Sequence, residues 1–154
     1  MTEQGTDAVR LVPLKLDDPA FRRHLLAYWA ELGAKPDAAW TNHYLSRINA
    51  LEGNGRWSFW GVSDQGQVGF ALLRTEADWL FPERRGGYIA EFTVFPGHRR
   101  QGIGRALYRR VEEYLRGQGC LNIELDVLPT NGVGMLFWRK QGFDLAHHRM
   151  RQFM

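Results

Sequence analysis

Val94-Phe95-Pro96-Gly97-His98-Arg99-Arg100-Gln101-Gly102-Ile103-Gly104-Arg105-Ala106-Leu107 is the stretch that decides the fold. A mostly apolar strand over residues 88–95 runs into Pro96, which cannot donate to a sheet ladder and marks the strand's end. A short basic loop, residues 97–101, follows. Beyond it Ile103, Leu107, Val111 and Leu115 recur at the spacing of one helix face. A helix therefore opens on Gly102-Ile103-Gly104. Helix N-termini carry unpaired N–H groups and the positive end of the dipole. Glycines there remove the Cβ atoms that would hold a bulky anion away. Arg99, Arg100 and Arg105 add charge. The stretch describes a phosphate cradle. A glycine-capped core helix without a ligand is the plainer alternative.

Working outward, residues 9–14 read as a first strand. Asp17 or Asp18 can cap a helix with Pro19 at its first position. That helix carries Phe21, Leu25, Tyr28, Trp29 and Leu32, and Gly33 stops it. Pro36-Asp37 opens a second helix through Trp40, Tyr44, Leu45, Ile48 and Leu51. Residues 57–62 and 68–73 form a hairpin about the turn Ser63-Asp64-Gln65-Gly66. Residues 75–85 read as a loop. Residues 121–127 alternate, placing Leu121, Ile123, Leu125 and Val127 on one face. Pro129-Thr130-Asn131 breaks that strand and starts a short helix, residues 132–141, closed by Gly142. Residues 143–153 read as a last strand. This order, β-α-α-β-β-β-α-β-α-β, predicts an α/β or α+β layer fold with a mixed sheet.

Two phosphate motifs fail at the glycine stretch. A P-loop needs Gly-Lys-Ser/Thr, which is absent. A dinucleotide fingerprint needs a third glycine where Leu107 stands, and seven residues separate Val94 from Gly102. What remains, Arg99-x-x-Gly102-x-Gly104, resembles the Gln/Arg-x-x-Gly-x-Gly/Ala signature of the Gcn5-related N-acetyltransferases, the GNAT superfamily. The flanks extend the likeness. Upstream stand Phe92-x-Val94-x-Pro96, and after the glycines comes Leu107. Downstream, Leu125-x-Val127-x-x-x-Asn131-x-x-Gly134 and Trp138-x-x-x-Gly142-Phe143 follow the family's order. The resemblance is specific over residues 88–143.

The resemblance implies a single domain over residues 1–154. Its fold would be a mixed, largely antiparallel central sheet flanked by helices, with central strands that splay apart. Acetyl-CoA would bind in the splay. Phe92, Thr93 and Val94 would offer backbone groups to the pantetheine arm. Arg99, Arg100, Gln101, Gly102, Ile103, Gly104 and Arg105 would hold the pyrophosphate, while Asn131 and Phe137 would meet the cofactor arm. The reaction implied is direct acyl transfer to a primary amine of a small molecule or peptide, with the Val94 amide as oxyanion donor. Glu91 is the candidate base, a carboxylate in an otherwise apolar strand whose burial would raise its pKa. His98, in the basic loop, is a weaker candidate. The family's tyrosine acid is replaced by Trp138, whose indole has no useful acid pKa. That departure motivates the alternative of a non-catalytic acyl-CoA-binding domain.

The chain has 154 residues, of which 44% are hydrophobic and 24% charged, as in ordinary globular domains. Residues 1–83 hold 8 Lys/Arg and 11 Asp/Glu, whereas residues 84–154 hold 12 and 6. Seventeen of the 20 basic residues are arginine, the side chain suited to bidentate phosphate contact. The acidic first half would suit a cationic acceptor. Basic charge alone does not argue for nucleic acid, because no helix-turn-helix, zinc or RRM signature accompanies it. His147-His148 point to opposite faces of a strand and make no metal site. Cys120, the one cysteine, has no partner base and reads as a packing thiol. No apolar run reaches the length of a membrane span. The polar N-terminus lacks a signal-peptide core, and together these set a cytoplasmic expectation. Aromatics of the first two helices and the loop at Trp79 could line an acceptor pocket. A homodimer through the edge of the last strand is a further expectation.

Overall fold

Hydrophobic spacing and helix caps set the first layer. The computed structural model describes residues 8–154, so residues 1–7 of the polar N-terminus lie outside it. Strand β1 is Arg10–Pro13, followed by helices α1 (Pro19–Glu31) and α2 (Ala38–Leu51). Asp18 caps α1 by accepting from the Ala20 N–H at 2.8 Å, and Asp37 caps α2 by accepting from the Trp40 N–H at 2.7 Å. Each such cap is worth about 1 kcal/mol. Phe21, Leu25 and Trp29, one helical turn apart, form the buried stripe of α1.

Strands β2 (Arg56–Ser63), β3 (Gly66–Ala77) and β4 (Arg85–Val94) form an antiparallel meander. A 3₁₀ turn at Pro96–His98 leads into α3 (Ile103–Gly117), then β5 (Cys120–Glu124) and α4 (Gly132–Lys140). The sheet order is β1-β2-β3-β4-β5, antiparallel throughout except for the parallel β4–β5 pair. The mixed, largely antiparallel sheet is the one expected.

The sheet has an apolar layer on each face. On one, α1 and α2 cover Trp60, Phe70 and Leu72. On the other, α3 packs Val111 and Leu115 with Phe59, Ala71, Leu73 and Ile89, and Leu107 with Val9, Val68 and Val94. Glycines let α3 approach closely. A Cβ on Gly61 would stand 2.8 Å from Leu107 Cδ1, and one on Gly87 2.9 Å from Leu115 Cδ1.

Three expectations are corrected. Residues 75–77 continue β3 instead of opening a loop, because they pair with the start of β4: Thr75 with Gly87, Glu76 with Gly86, Ala77 with Arg85. Strand β5 is shorter than residues 121–127, and Leu121 is 74% exposed, since no layer covers it there. Residues 143–153 form no strand, since among the described residues none pairs with them.

At Gly69, β3 lies against the backbone of β4. A Cβ on Gly69 would collide with the Thr93 carbonyl oxygen, a backbone atom that cannot swing aside. Gly69→Ala is expected to cost at least about 2 kcal/mol in urea denaturation. Gly117→Ala, with nothing near its Cβ, should be neutral or stabilise by up to about 1 kcal/mol. Equal midpoints for the two variants would contradict this packing.

Candidate active site

Two irregularities of β4 build the site. The first is a bulge. Leu72 faces Glu91 and Leu73 faces Ile89, leaving Ala90 as an extra residue. In a regular strand residues 89 and 91 would share a face. The bulge breaks that alternation. Ile89 stays with the α3 layer, while Glu91 turns to the α1–α2 side, where Trp29 and Tyr44 meet it. Phe92 then returns to the α3 side.

The second is the splay from β5. Pairing between the two strands ends at Tyr88–Glu124. Beyond it a cavity of about 490 Å³ opens, lined by Ile89, Ala90, Phe92, Thr93 and Val94 on one wall and residues 125–128 on the other. Aromatic side chains of α4 wedge beneath it. Phe137 stacks on Phe92 at 5.8 Å, and Trp138 meets the same ring edge-on at 5.0 Å. Successive N–H groups of a strand point to opposite sides. The Phe95 N–H goes to the Val68 carbonyl of β3 at 2.8 Å, so the Val94 N–H is directed away from β3, toward the cavity.

At the end of this cavity lies the glycine loop. Arg100 and Gly102 have left-handed backbone, at φ 62° and 76°, with Gln101 between them. Such alternation gathers N–H groups into an anion-binding concavity. Among the described residues no acceptor takes the N–H groups of residues 100–105. Gly104 lets Phe137 close in, since a Cβ there would stand 3.0 Å from its Cε2.

The Arg99 side chain braces this loop. Its Nε donates to the Val94 carbonyl at 2.8 Å, and its two terminal nitrogens clasp Glu31 of α1 at 2.7 and 2.9 Å. Asn131 caps α4 by accepting from the Gly134 N–H at 2.9 Å and lines the cavity. A Cβ on residue 134 would collide with the Asn131 side chain, so the glycine there fits this cap.

Glu91 is half-buried. Its Oε1 accepts from Trp29 Nε1 at 3.4 Å and from the Tyr44 hydroxyl at 3.3 Å. Burial raises its pKa above the ordinary glutamate value, and the polar groups of Trp29, Tyr28 and Tyr44 oppose the shift without cancelling it. Burial, then the Glu91 charge, push the Tyr28 and Tyr44 hydroxyls far above the usual phenol range. Both remain protonated donors. Glu91 and Trp29, Trp40 and Tyr44 line a second pocket of about 520 Å³. Ala90 and Phe92 line the first cavity, so consecutive residues of β4 border the two pockets.

A model of the acetyltransferase (GNAT) family matches residues 19–143. The chain belongs to this family. Streptothricin acetyltransferase of Streptomyces lavendulae is 36% identical over 55 residues, 36% of this chain and 29% of its own length. Glucosamine 6-phosphate N-acetyltransferase of Trypanosoma brucei brucei is 31% identical over 84 residues, 54% of this chain and 55% of its own. The chain thus spans 29% and 55% of these two relatives. A crystal structure of a Trypanosoma brucei acetyltransferase superposes with a TM-score of 0.68 at 26% identity, covering 95% of this chain and 99% of that one.

In this GNAT chain Trp138 sits inside an aromatic cluster with Phe92, Tyr108 and Phe143. His98 stands apart from Glu91, its Nδ1 3.0 Å from Gln65 Oε1 in an exposed contact. Trp79 is 89% exposed on the β3–β4 loop and lines neither pocket. Sequence spacing assigned Tyr28 and Tyr44 to helix stripes. Their meeting at Glu91 needs the tertiary fold, although a lone carboxylate in an apolar strand signals that donors must converge on it.

Tyr44→Phe removes one donor to the Glu91 carboxylate. The Glu91 carboxyl titration, followed by ¹³C NMR, is expected to move further up in this variant. An unchanged or lowered titration would contradict the assigned hydrogen bond.

Proposed function

We propose that the protein transfers the acetyl group of acetyl-CoA directly to a primary amine of a small molecule or peptide. The observation that carries this reading is the pairing of two pockets across β4. One ends in unpaired loop amides, and the other holds the half-buried Glu91 carboxylate. The family generally uses acetyl-CoA, and the residues present fit it. The amides of residues 100–105 would take the pyrophosphate. Backbone groups of Phe92, Thr93 and Val94 would meet the pantetheine arm along the cavity, with Asn131 and Phe137 on its far wall. Arg99 supports this by fixing the loop against Glu31.

In the reaction the amine nitrogen attacks the thioester carbonyl carbon. The N–C bond forms and negative charge develops on the carbonyl oxygen, which the Val94 N–H would stabilise. Glu91 receives the proton that the amine loses, directly or through water. The C–S bond then breaks, and the thiolate of CoA leaves. No tyrosine stands at position 138 to protonate it. A thiol pKa near 8.5 makes it a tolerable leaving group unaided.

Calorimetric titration with acetyl-CoA, with ATP as control, tests the donor site. Micromolar acetyl-CoA binding is expected. Gly102→Glu should weaken it on the order of a hundredfold or more, by putting a like charge and a Cβ into the cradle. Thiol release from acetyl-CoA across a panel of primary amines tests the transfer. Absence of acetyl-CoA binding would overturn the reading. Binding without thiol release on any amine would favour a non-catalytic acyl-CoA-binding domain.

A further inference from the structure

The second pocket has a composition that the transfer reaction by itself does not require. Trp40 and Tyr44 lie one turn apart on α2, with rings 5.5 Å apart and within 9° of parallel. Trp29 of α1 stands nearly perpendicular to both, at 77° and 78°, with centroids 5.5 and 5.0 Å away. The three rings make a corner of two orthogonal aromatic surfaces. Trp29 is buried, whereas Trp40 is 53% exposed, so the face of this corner open to a ligand is that of Trp40.

Charge is arranged about the same corner. Glu91 hangs from Trp29 and Tyr44, and Asp37 lies at the start of α2 beside Trp40. Lys35 is the one cation in the lining. Two carboxylates against one ammonium leave the lining with one negative charge. The chain has 17 arginines, a side chain that favours aromatic faces. Yet the cation–π pairs among the described residues are Arg74–Tyr88, Arg84–Phe81 and Arg151–Phe153. None of them involves these three rings.

The geometry points to an acceptor that binds as a monocation: a primary ammonium on an uncharged, methylene-rich stem. The ammonium would lie beside Glu91 against the exposed face of Trp40, with the stem continuing along that ring. Aromatic faces attract cations through the ring quadrupole, most strongly for tryptophan. The carboxylates add Coulomb attraction and repel anionic acceptors. The same Glu91 that attracts the ammonium is then placed to accept its proton. This inference names the acceptor class for the transfer proposed above and rests on that reading. The binding step can be tested without it.

The probe is tetramethylammonium chloride, a cation that cannot be acetylated. It is titrated into ¹⁵N-labelled protein, with sodium chloride and sodium acetate as controls. Saturable shifts of the Trp29 and Trp40 indole N–H signals are expected from tetramethylammonium alone. Affinity should fall about tenfold in Trp40→Ala and largely return in Trp40→Phe, which keeps an aromatic face. Ala at this half-exposed position of α2 is a good helix former, and circular dichroism checks the fold. Shifts common to all three salts, or affinity unchanged in Trp40→Ala, would overturn the inference. If Trp40→Ala fails to fold, the wild-type salt comparison decides. Acetyl-CoA is titrated into the same samples. Acetyl-CoA binding without a tetramethylammonium response defeats this inference and leaves the transfer reading intact. The converse result defeats the transfer reading and leaves the cation site.

Discussion

One extra residue in β4, Ala90, governs the arrangement of the site. Strand geometry assigns alternate residues to opposite faces, so a carboxylate two positions after the buried Ile89 belongs in the α3 core. There it would lie in the apolar layer of Leu73, Val111 and Leu115. The bulge moves it to the opposite face, where Trp29 and Tyr44 supply donors. It also lets Phe92 fall back onto α4, where Phe137 and Trp138 receive it. A single insertion in the ladder thus sets the environment of the candidate base and one wall of the cavity.

The remaining elements hold β4 in that state. Pairing with β3 continues past the bulge to Val94, so one side of the strand is saturated. On the other side, β5 stops at Glu124, and the α4 aromatics occupy the space beneath the gap. Tyr88 marks the point of divergence, with its hydroxyl donating to Asp126 at 2.5 Å and Arg74 lying 3.8 Å over its ring. The Arg99 guanidinium joins the Val94 carbonyl, the glycine loop and Glu31 of α1. It connects the helix that shapes one pocket to the loop that ends the other.

Local chemistry carried much of this into the sequence. The helix starts are legible from Asp17-Asp18 and Pro36-Asp37 because short acidic side chains before a helical pattern suit a cap, and the structure gives that place to Asp18 and Asp37. Gly102 and Gly104 are legible because left-handed backbone and close packing on Phe137 both exclude larger residues. What the sequence hides is set by distant partners. Ala90 carries no mark of a bulge. The contacts of Glu91 with Tyr44 and Trp29 span 47 and 62 residues, so no spacing rule reaches them. Thr75, Glu76 and Ala77 look like a loop until Arg85, Gly86 and Gly87 pair with them. Residues 143–153 alternate weakly, but no strand receives them.

The central claim is that the bulge places Glu91 where burial raises its pKa and where it can take the proton of an acceptor amine. The direct measurement is the pH dependence of thiol release from acetyl-CoA, compared between the wild-type protein and Glu91→Gln. Ionised Glu91 is the active form, so the wild-type rate should rise with pH through an apparent pKa above the ordinary carboxylate range. Glu91→Gln should lose that limb and fall by about 10²–10⁴-fold while retaining its affinity for acetyl-CoA. Superimposable profiles for the two proteins would contradict the account.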